Sequence, residues 1–399
     1  MTTTTHPARI TTGWYDAHDC DLAEFRAVVE QETDATAYPH ADEVVQGVLL
    51  YGDRLRAAAA DPASRPAVQA ELAHALLEGP GIVVFKDAFE RGVVDRATEA
   101  FLRLIEREKA DGGTRGDHFA EPGANDRVWG ALDKLAVAEP ELFADYYAND
   151  TLALVSEAWL GPHYQVTSQV NVVNPGGQAQ VAHRDYHLGF MDLDQARAFP
   201  AQVHALSPAL TLQGAVAHVD MPVETGPTLY LPHSQKYAAG YVAFHDPAFT
   251  AYFEDHYVQL PLAKGDAVFF NPALFHGAGT NRTTDVRRMA NLLQVSSAFG
   301  RAMETVDTRA VVAAVYPVLR RWAAAGADRR ALDRVVTAAA EGYPFPTNLD
   351  LDQPVGSMAP ASQADLVRQA LAEDWDEGRL AEALAAQDQR RSSAVATPR

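Results

Sequence analysis

The chain has 399 residues, 47% of them hydrophobic and 22% charged, and its 33 Lys and Arg against 53 Asp and Glu give a formal charge of −20. That is the balance of a water-soluble globular protein, long enough for a sizeable core in one large domain with additions or in two domains. The acidity works against nucleic acid or an anionic membrane as partner, and the single cysteine, Cys20, excludes a disulfide framework, cysteine-rich zinc sites and iron–sulfur clusters.

Met1-Thr-Thr-Thr-Thr-His-Pro carries neither a basic nor an apolar leader, and no apolar run approaches the roughly 18 residues of a membrane helix. The expectation is a cytoplasmic protein. Helical spacing of apolar residues marks 25–31, 41–60 and 67–77, and Gly79-Pro80-Gly81 ends that pattern. A β-branched strand follows at 82–85, then a charged amphipathic helix at 91–108. Residues 111–126 read as an exposed loop, and 141–160 as a helix. From about 164 the texture changes to short strands bounded by Gly, Pro or Asn, at 165–173, 209–219, 228–231, 257–262, 267–270 and 289–298, as in a sandwich or barrel. Beyond 300 the pattern is helical again, at 306–325, 329–341 and 362–385, and the polar tail 390–399 reads as disordered. The chain therefore divides into an N-terminal helical segment (1–80), a β core with supporting helices (81–300) and a C-terminal helical extension (301–399).

Nine of the 14 histidines lie between positions 163 and 276. One arrangement stands out, His183-Arg184-Asp185 after Ala179-Gln180-Val181-Ala182. In a strand, residues two apart share a face, so His183 and Asp185 can present a nitrogen and an oxygen to one cation. His-x-Asp alone is weak, and the simpler reading of His183 by itself is a structural hydrogen-bonded pair. A third ligand is at hand in His276, which sits just before glycines at the end of an apolar strand opened by Gly265-Asp266. Two histidines and one carboxylate leave three positions of a metal open, the facial triad of non-haem Fe(II) sites that activate O2. Such a site needs electrons, which a 2-oxo acid can supply by oxidative decarboxylation. Its far carboxylate needs a fixed cation, ideally a forked guanidinium. Arg287 stands eleven residues after His276, followed by Arg288 and a strand, and one of the two must point inward and the other outward.

This order, with Val170-Asn171-Val-Val-Asn-Pro-Gly-Gly before the motif, Glu224-Thr-Gly-Pro-Thr-Leu-Tyr-Leu-Pro-His-Ser234 after it, and His276-Gly-Ala-Gly-Thr-Asn281 leading to Arg287, resembles the phytanoyl-CoA dioxygenase family of Fe(II)/2-oxoglutarate oxygenases over about residues 80–300. A departure is Pro232-His-Ser-Gln235, where the family more often has Pro-Gly-Ser-His; it touches a loop, not a ligand. The resemblance implies an α+β fold, a double-stranded β-helix (jelly-roll, cupin-like) core flanked by helices. It implies Fe(II), 2-oxoglutarate and O2 as cofactors, His183, Asp185 and His276 as metal ligands, and Arg287 as the anchor of the 2-oxoglutarate distal carboxylate, with Arg288 as fallback. Polar side chains on the strand before the motif face the cosubstrate in related enzymes, which makes Asn171 and Gln169 candidates, with Thr228 a weaker one. Tyr186 and His187, directly after the motif, are candidates for substrate contact, as readily explained by packing under a loop. His118 and Trp129 fall in a loop region that could cover a cavity, although a plain loop role is the simpler account.

By the same resemblance the reaction is hydroxylation, desaturation or ring formation on a small-molecule substrate, with succinate and CO2 as co-products. Family members that halogenate have a small residue where Asp185 stands. The alternatives are a metal-binding cupin-like scaffold without turnover and a two-His/one-Asp zinc or manganese hydrolase, which would leave the arginine without purpose. The helical flanks suit either a cap on the cavity or a homodimer contact.

Overall fold

The computed structural model describes residues 13–111 and 123–393. Ten strands follow in chain order: β1 (Glu43–Val45), β2 (Val48–Tyr51), β3 (Ile82–Phe85), β4 (Asn125–Val128), β5 (Gln165–Val173), β6 (Thr211–Ala217), β7 (Leu229–Leu231), β8 (Ala267–Phe270), β9 (Phe275–Gly277) and β10 (Arg288–Ser296). Eight form one sheet ordered β1-β2-β3-β8-β6-β10-β5-β4, in which only β2 and β3 run parallel. A second layer pairs β7 with β9 and is extended by bridges from His276 to His183 and from Tyr230 to Val258. Through the core the chain passes from β5 in the large sheet to His183 in the small one, back to β6, then to β7 and Val258, to β8, to β9 and finally to β10. That alternation is the double-stranded β-helix, here in an α+β protein.

Strand periodicity assigns the two faces of the large sheet. Val166, Val170, Val172, Leu212, Met289 and Leu293 turn outward into the main core. There they meet Phe101, Leu135, Leu154 and Val315 of the helices Arg91–Ala110, Ala131–Ala138, Asp150–Leu160 and Thr308–Ala324. The alternate residues, among them Gln169, Asn171, Gln213, Arg288 and Gln294, turn inward and line a cavity between the layers. On the small-sheet side, the helix Leu22–Val29 buries Phe25 with its ring 5.1 Å from that of Phe275, which braces the strand carrying His276.

Several elements differ from the pattern read along the chain. Residues 41–60 form the β1–β2 hairpin before a short helix, Asp53–Ala60. Gln46 and Gly47 both have positive φ, 52° and 80°, the two-residue turn whose twist matches a hairpin. β2 pairs with β3, a tertiary partner that helical periodicity cannot reveal. The helix over 141–160 is two, Pro140–Tyr147 and Asp150–Leu160, because the Asn149 side chain caps the second by accepting from Leu152 N at 2.9 Å. The helix over 362–385 breaks at Asp374, whose φ is 50°, into Gln363–Ala372 and Glu377–Arg391. That last helix takes in Arg390 and Arg391 of the tail, while 394–399 lie outside the described residues. The strand expected at 257–262 contributes isolated bridges at Val258 and Leu262, and β4 occupies the end of the expected 111–126 loop. Among the described residues no helix is long and apolar enough to cross a membrane.

Candidate metal centre

His183 and His276 are held by reciprocal backbone hydrogen bonds, His183 N to His276 O at 3.0 Å and His276 N to His183 O at 3.1 Å. Asp185, two residues on, is anchored by its own N–H on Pro272 O at 3.0 Å. Each imidazole turns Nδ1 to the carbonyl two residues before it, His183 to Val181 O at 2.9 Å and His276 to Leu274 O at 2.8 Å. A carbonyl only accepts, so Nδ1 carries the proton in both rings and each Nε2 keeps a lone pair. These two nitrogens lie 3.7 Å from the two oxygens of Asp185, and the three ligand atoms fall within 4.8 Å of one another. Two neutral nitrogens and a carboxylate oxygen on one side of a point, with the cavity on the other, fit a facial Fe(II) site.

The electrostatics agree with that donor set. Burial pushes the Asp185 carboxyl up. The neighbouring His276 and His183 imidazoles and the Gln213 amide outweigh burial and hold the group well below the usual carboxylate range. Burial, with His276 beside it, lowers the His183 imidazole against the opposing pull of Asp185. An ionised carboxylate and a neutral imidazole are the protonation states that metal ligands need.

Gln213 of β6 donates its amide nitrogen to Asp185 Oδ2. A carboxylate accepts and does not donate, so the orientation of this amide is decided and its Oε1 is left buried in the wall without a partner among the described residues. Gln294, opposite Gln213 in the β6–β10 register, also has a buried Oε1 without a partner among the described residues. The middle residue of the motif has a different task. Arg184 is buried, donates to Ser234 O, and lies over the rings of Tyr241 and Phe275 at 5.3 and 5.1 Å. Burial pushes its guanidinium down to about 10. Gly240 is required beside it, since a Cβ there would overlap the guanidinium. His233 takes a positive φ of 68°, which explains why glycine is commoner at this place, and its Nε2 meets Thr33 Oγ1 at 3.1 Å.

Of the expected cosubstrate contacts, Gln169, Asn171 and Thr228 line the cavity. Arg287 does not. It stands just before β10, its side chain is 48% exposed, and it pairs with Asp126 Oδ2 at 2.8 Å and Asn174. Arg288 shares its face of β10 with Ala290, Leu292 and Gln294, and only 8% of it is exposed. It donates to the carbonyls of Thr225 and Gly279 at 3.3 and 3.2 Å and has no carboxylate partner among the described residues. Burial lowers this guanidinium to about 10, against a smaller pull from Tyr230. A buried cation with only carbonyl partners fits an anionic ligand.

Tyr186 and His187 do not line the cavity. Tyr186 is buried against the rings of Tyr241 and His204, and His187 hydrogen-bonds Ser207 and Thr211. The chain turns away after Asp185, so both pack beneath the loop. Trp129 lines the cavity, whereas His118 lies outside the described residues. Gln213, Gln180 and Arg127 are cavity residues that motif spacing did not single out. Gln213 is a polar side chain at an inward position of an otherwise apolar strand and Gln180 lies just before the motif, whereas Arg127 sits in the polar strand Asn125–Val128, where nothing in the sequence marks it.

Strand order and donor set define a non-haem iron oxygenase built on a double-stranded β-helix. The phytanoyl-CoA dioxygenase (PhyH) family model matches residues 77–289, and the chain belongs to that family. Dioxygenase trt7 of Aspergillus terreus is 27% identical over 228 residues, 56% of this chain and 72% of that protein. Dioxygenase cdmD of Talaromyces verruculosus is 30% identical over 128 residues, 32% of this chain and 38% of the relative. Among solved structures, the non-heme alpha ketoglutarate dependent carbocyclase SnoK from nogalamycin biosynthesis overlays with a TM-score of 0.43 at 22% identity, over 57% of this chain and 83% of that one. So loose an overlay adds nothing to the strand order already described. Iron, 2-oxoglutarate and O2 are the cofactors of this class of oxygenase, and the ligand set and the buried cation fit them.

Proposed function

We propose that this protein hydroxylates, or alternatively desaturates or cyclises, a small organic substrate of secondary metabolism, releasing succinate and CO2. The observation that supports the reading is a facial donor set opening onto a cavity of about 570 Å3 that also holds a buried arginine with no carboxylate partner among the described residues. His183, Asp185 and His276 would hold the ferrous ion. Arg288, in place of Arg287, would take the distal carboxylate of 2-oxoglutarate, with Asn171 and Thr228 lining the same cavity. Bound there, iron and 2-oxoglutarate supply an oxidant made from O2 that is strong enough for an unactivated C–H bond. The chain's own share is geometric. The Nδ1 hydrogen bonds orient both imidazoles, Gln213 steadies Asp185, and Ile82, Val84, Leu260 and Val268 keep water from the interior. A carboxylate at 185 also occupies the position that a halide would need, which favours oxidation over halogenation.

Anaerobic titration of the purified protein with Fe(II) and then 2-oxoglutarate tests this directly. A visible charge-transfer band is expected, and it should be absent in His183→Ala. In Arg288→Ala the 2-oxoglutarate Kd should rise about 10- to 150-fold, the worth of one charge-assisted interaction, while Arg287→Ala should stay within about twofold. No band with tight zinc retention would favour a hydrolase. No band and no bound metal would remove both enzyme readings.

A further inference from the structure

Arg184 is a buried charge that neither the metal ligands nor the cosubstrate anchor uses. Strand alternation turns it away from the cavity that receives His183 and Asp185, toward the aromatic cluster of Phe25, Tyr237, Phe249 and Phe275 behind the small sheet. Burial lowers the guanidinium only to about 10, so it stays a cation at neutral pH. Among the described residues it has no carboxylate partner, and its Nε is buried without a hydrogen bond. An apolar side chain of the same length would be cheaper to bury there, so packing alone gives no reason for the charge.

The contacts of this side chain converge on the segments that carry the ligands. The guanidinium donates to Ser234 O. The hydroxyl of the same serine accepts from Phe275 N at 2.8 Å, one residue before His276, and donates to Leu231 O at 2.6 Å. The guanidinium also lies over the Phe275 ring at 5.1 Å and the Tyr241 ring at 5.3 Å, and Tyr241 OH donates to Asp185 O at 3.0 Å. Arg184 therefore reaches the His276 strand by two routes and Asp185 by a third, while its own backbone joins His183 to Asp185. The fit leaves no slack, since Ser234 is fully buried and a Cβ at Gly240 would overlap the guanidinium. Backbone hydrogen bonds fix the pairing of His183 with His276, and the side chains behind them set how far the carboxylate stands from the two imidazoles.

We infer that Arg184 is a positioning residue for the metal: from behind the small sheet it holds the Asp185 carboxylate and the His276 imidazole at the separation at which one ion takes both. The inference rests on His183, Asp185 and His276 as the ligand set of the proposed oxygenase and extends it to a residue that does not line the cavity. Cobalt(II), whose visible bands report the arrangement of its ligands, probes the site without turnover. In Arg184→Met the Co(II) Kd should rise about 10- to 100-fold, the usual worth of a group that orients metal ligands, and the bands should shift while circular dichroism stays the same. Arg184→Lys keeps a donor for Ser234 O and should recover part of the affinity. Ser234→Ala and Tyr241→Phe each cut one route and should each weaken Co(II) by a smaller factor. A purely structural role would lower the melting temperature and leave the bands alone. Folded Arg184→Met with an unaltered Kd and unaltered bands would overturn the inference. Should Arg184→Met not fold, an unaltered Kd and unaltered bands in both Ser234→Ala and Tyr241→Phe would overturn it equally. Failure of the unaltered protein to bind Co(II) would instead remove the ligand set, and with it the function beneath.

Discussion

The two faces of the large sheet are made by alternate residues of the same strands, yet they differ in what they are lined with. Outward, Val170, Leu212, Phe269 and Leu293 are fully packed, and even the histidine on that side is satisfied. His218 Nδ1 meets Thr98 Oγ1 at 2.9 Å, and that hydroxyl spends its proton on Val94 O, so Nδ1 is the donor. Tyr146 OH then supplies the other ring nitrogen at 3.0 Å. Inward, among the described residues, Gln213 and Gln294 leave amide oxygens without partners, against the single Asn291 oxygen on the outward face of β10, Arg288 has no carboxylate partner, and two histidines each hold one nitrogen back. Buried polar groups are nearly always paired in folded proteins, so several unpaired polar atoms gathered around one cavity and beside a ligand set mark a surface built for something that is not the protein. A histidine's role is thus read from what its second nitrogen does.

The contrast can be broken most severely by removing a ligand. Asp185→Ala should lose Fe(II) binding by more than about 100-fold and abolish turnover with the fold intact by circular dichroism; full hydroxylation by that variant would sink the ligand assignment. Phe269→Ala, on the outward face, should cost about 3–5 kcal/mol of stability in denaturant unfolding and leave the 2-oxoglutarate Kd within about twofold. Should the Kd collapse as well, the faces are not separable. Gln213→Leu, inward, should do the reverse, weakening Fe(II) affinity about 10- to 100-fold at nearly constant melting temperature. An unchanged metal affinity would show that the amide only fills space.

A further effect concerns acid. Burial, with Lys264 adding to it, pushes His218 down to about 3. Its folded value lies below the unfolded one, so the unfolded chain binds the proton first as pH falls. The stabilisation is complete above about pH 6.5 and is lost toward pH 3, by about 1.4 kcal/mol per unit. In His218→Leu the slope of unfolding free energy between pH 6 and 4 should be shallower by that amount, and an identical slope would mean that His218 is not the group responsible.

The chemistry was legible in the order of the residues because ligand types at fixed spacing need little of the fold to be recognised. His183 and Asp185 are two apart, His276 follows an apolar strand, and the surrounding wording resembles one family. β5 and β8 were legible with their boundaries, since β-branched runs between turn residues have few alternatives. The β1–β2 hairpin was not, because valines and leucines at helical spacing are compatible with either state until β3 lies alongside. Tyr186 and His187 looked like site residues by adjacency, but adjacency does not carry a side chain round a turn.

What the sequence determined alone was therefore a set of donors, an oxygenase family and a β core between helical segments, all properties of residue type and local period. The tertiary structure decided which neighbour faces in. Arg287 and Arg288 are equivalent on paper, and a shift of one residue in a strand exchanges the two faces. Only the register of β10 against β5, with Arg288 opposite Val173, sends Arg288 into the cavity and leaves Arg287 with Asp126. Gln213 reaches Asp185 for the same reason: sheet pairing brings together residues that no period along the chain connects.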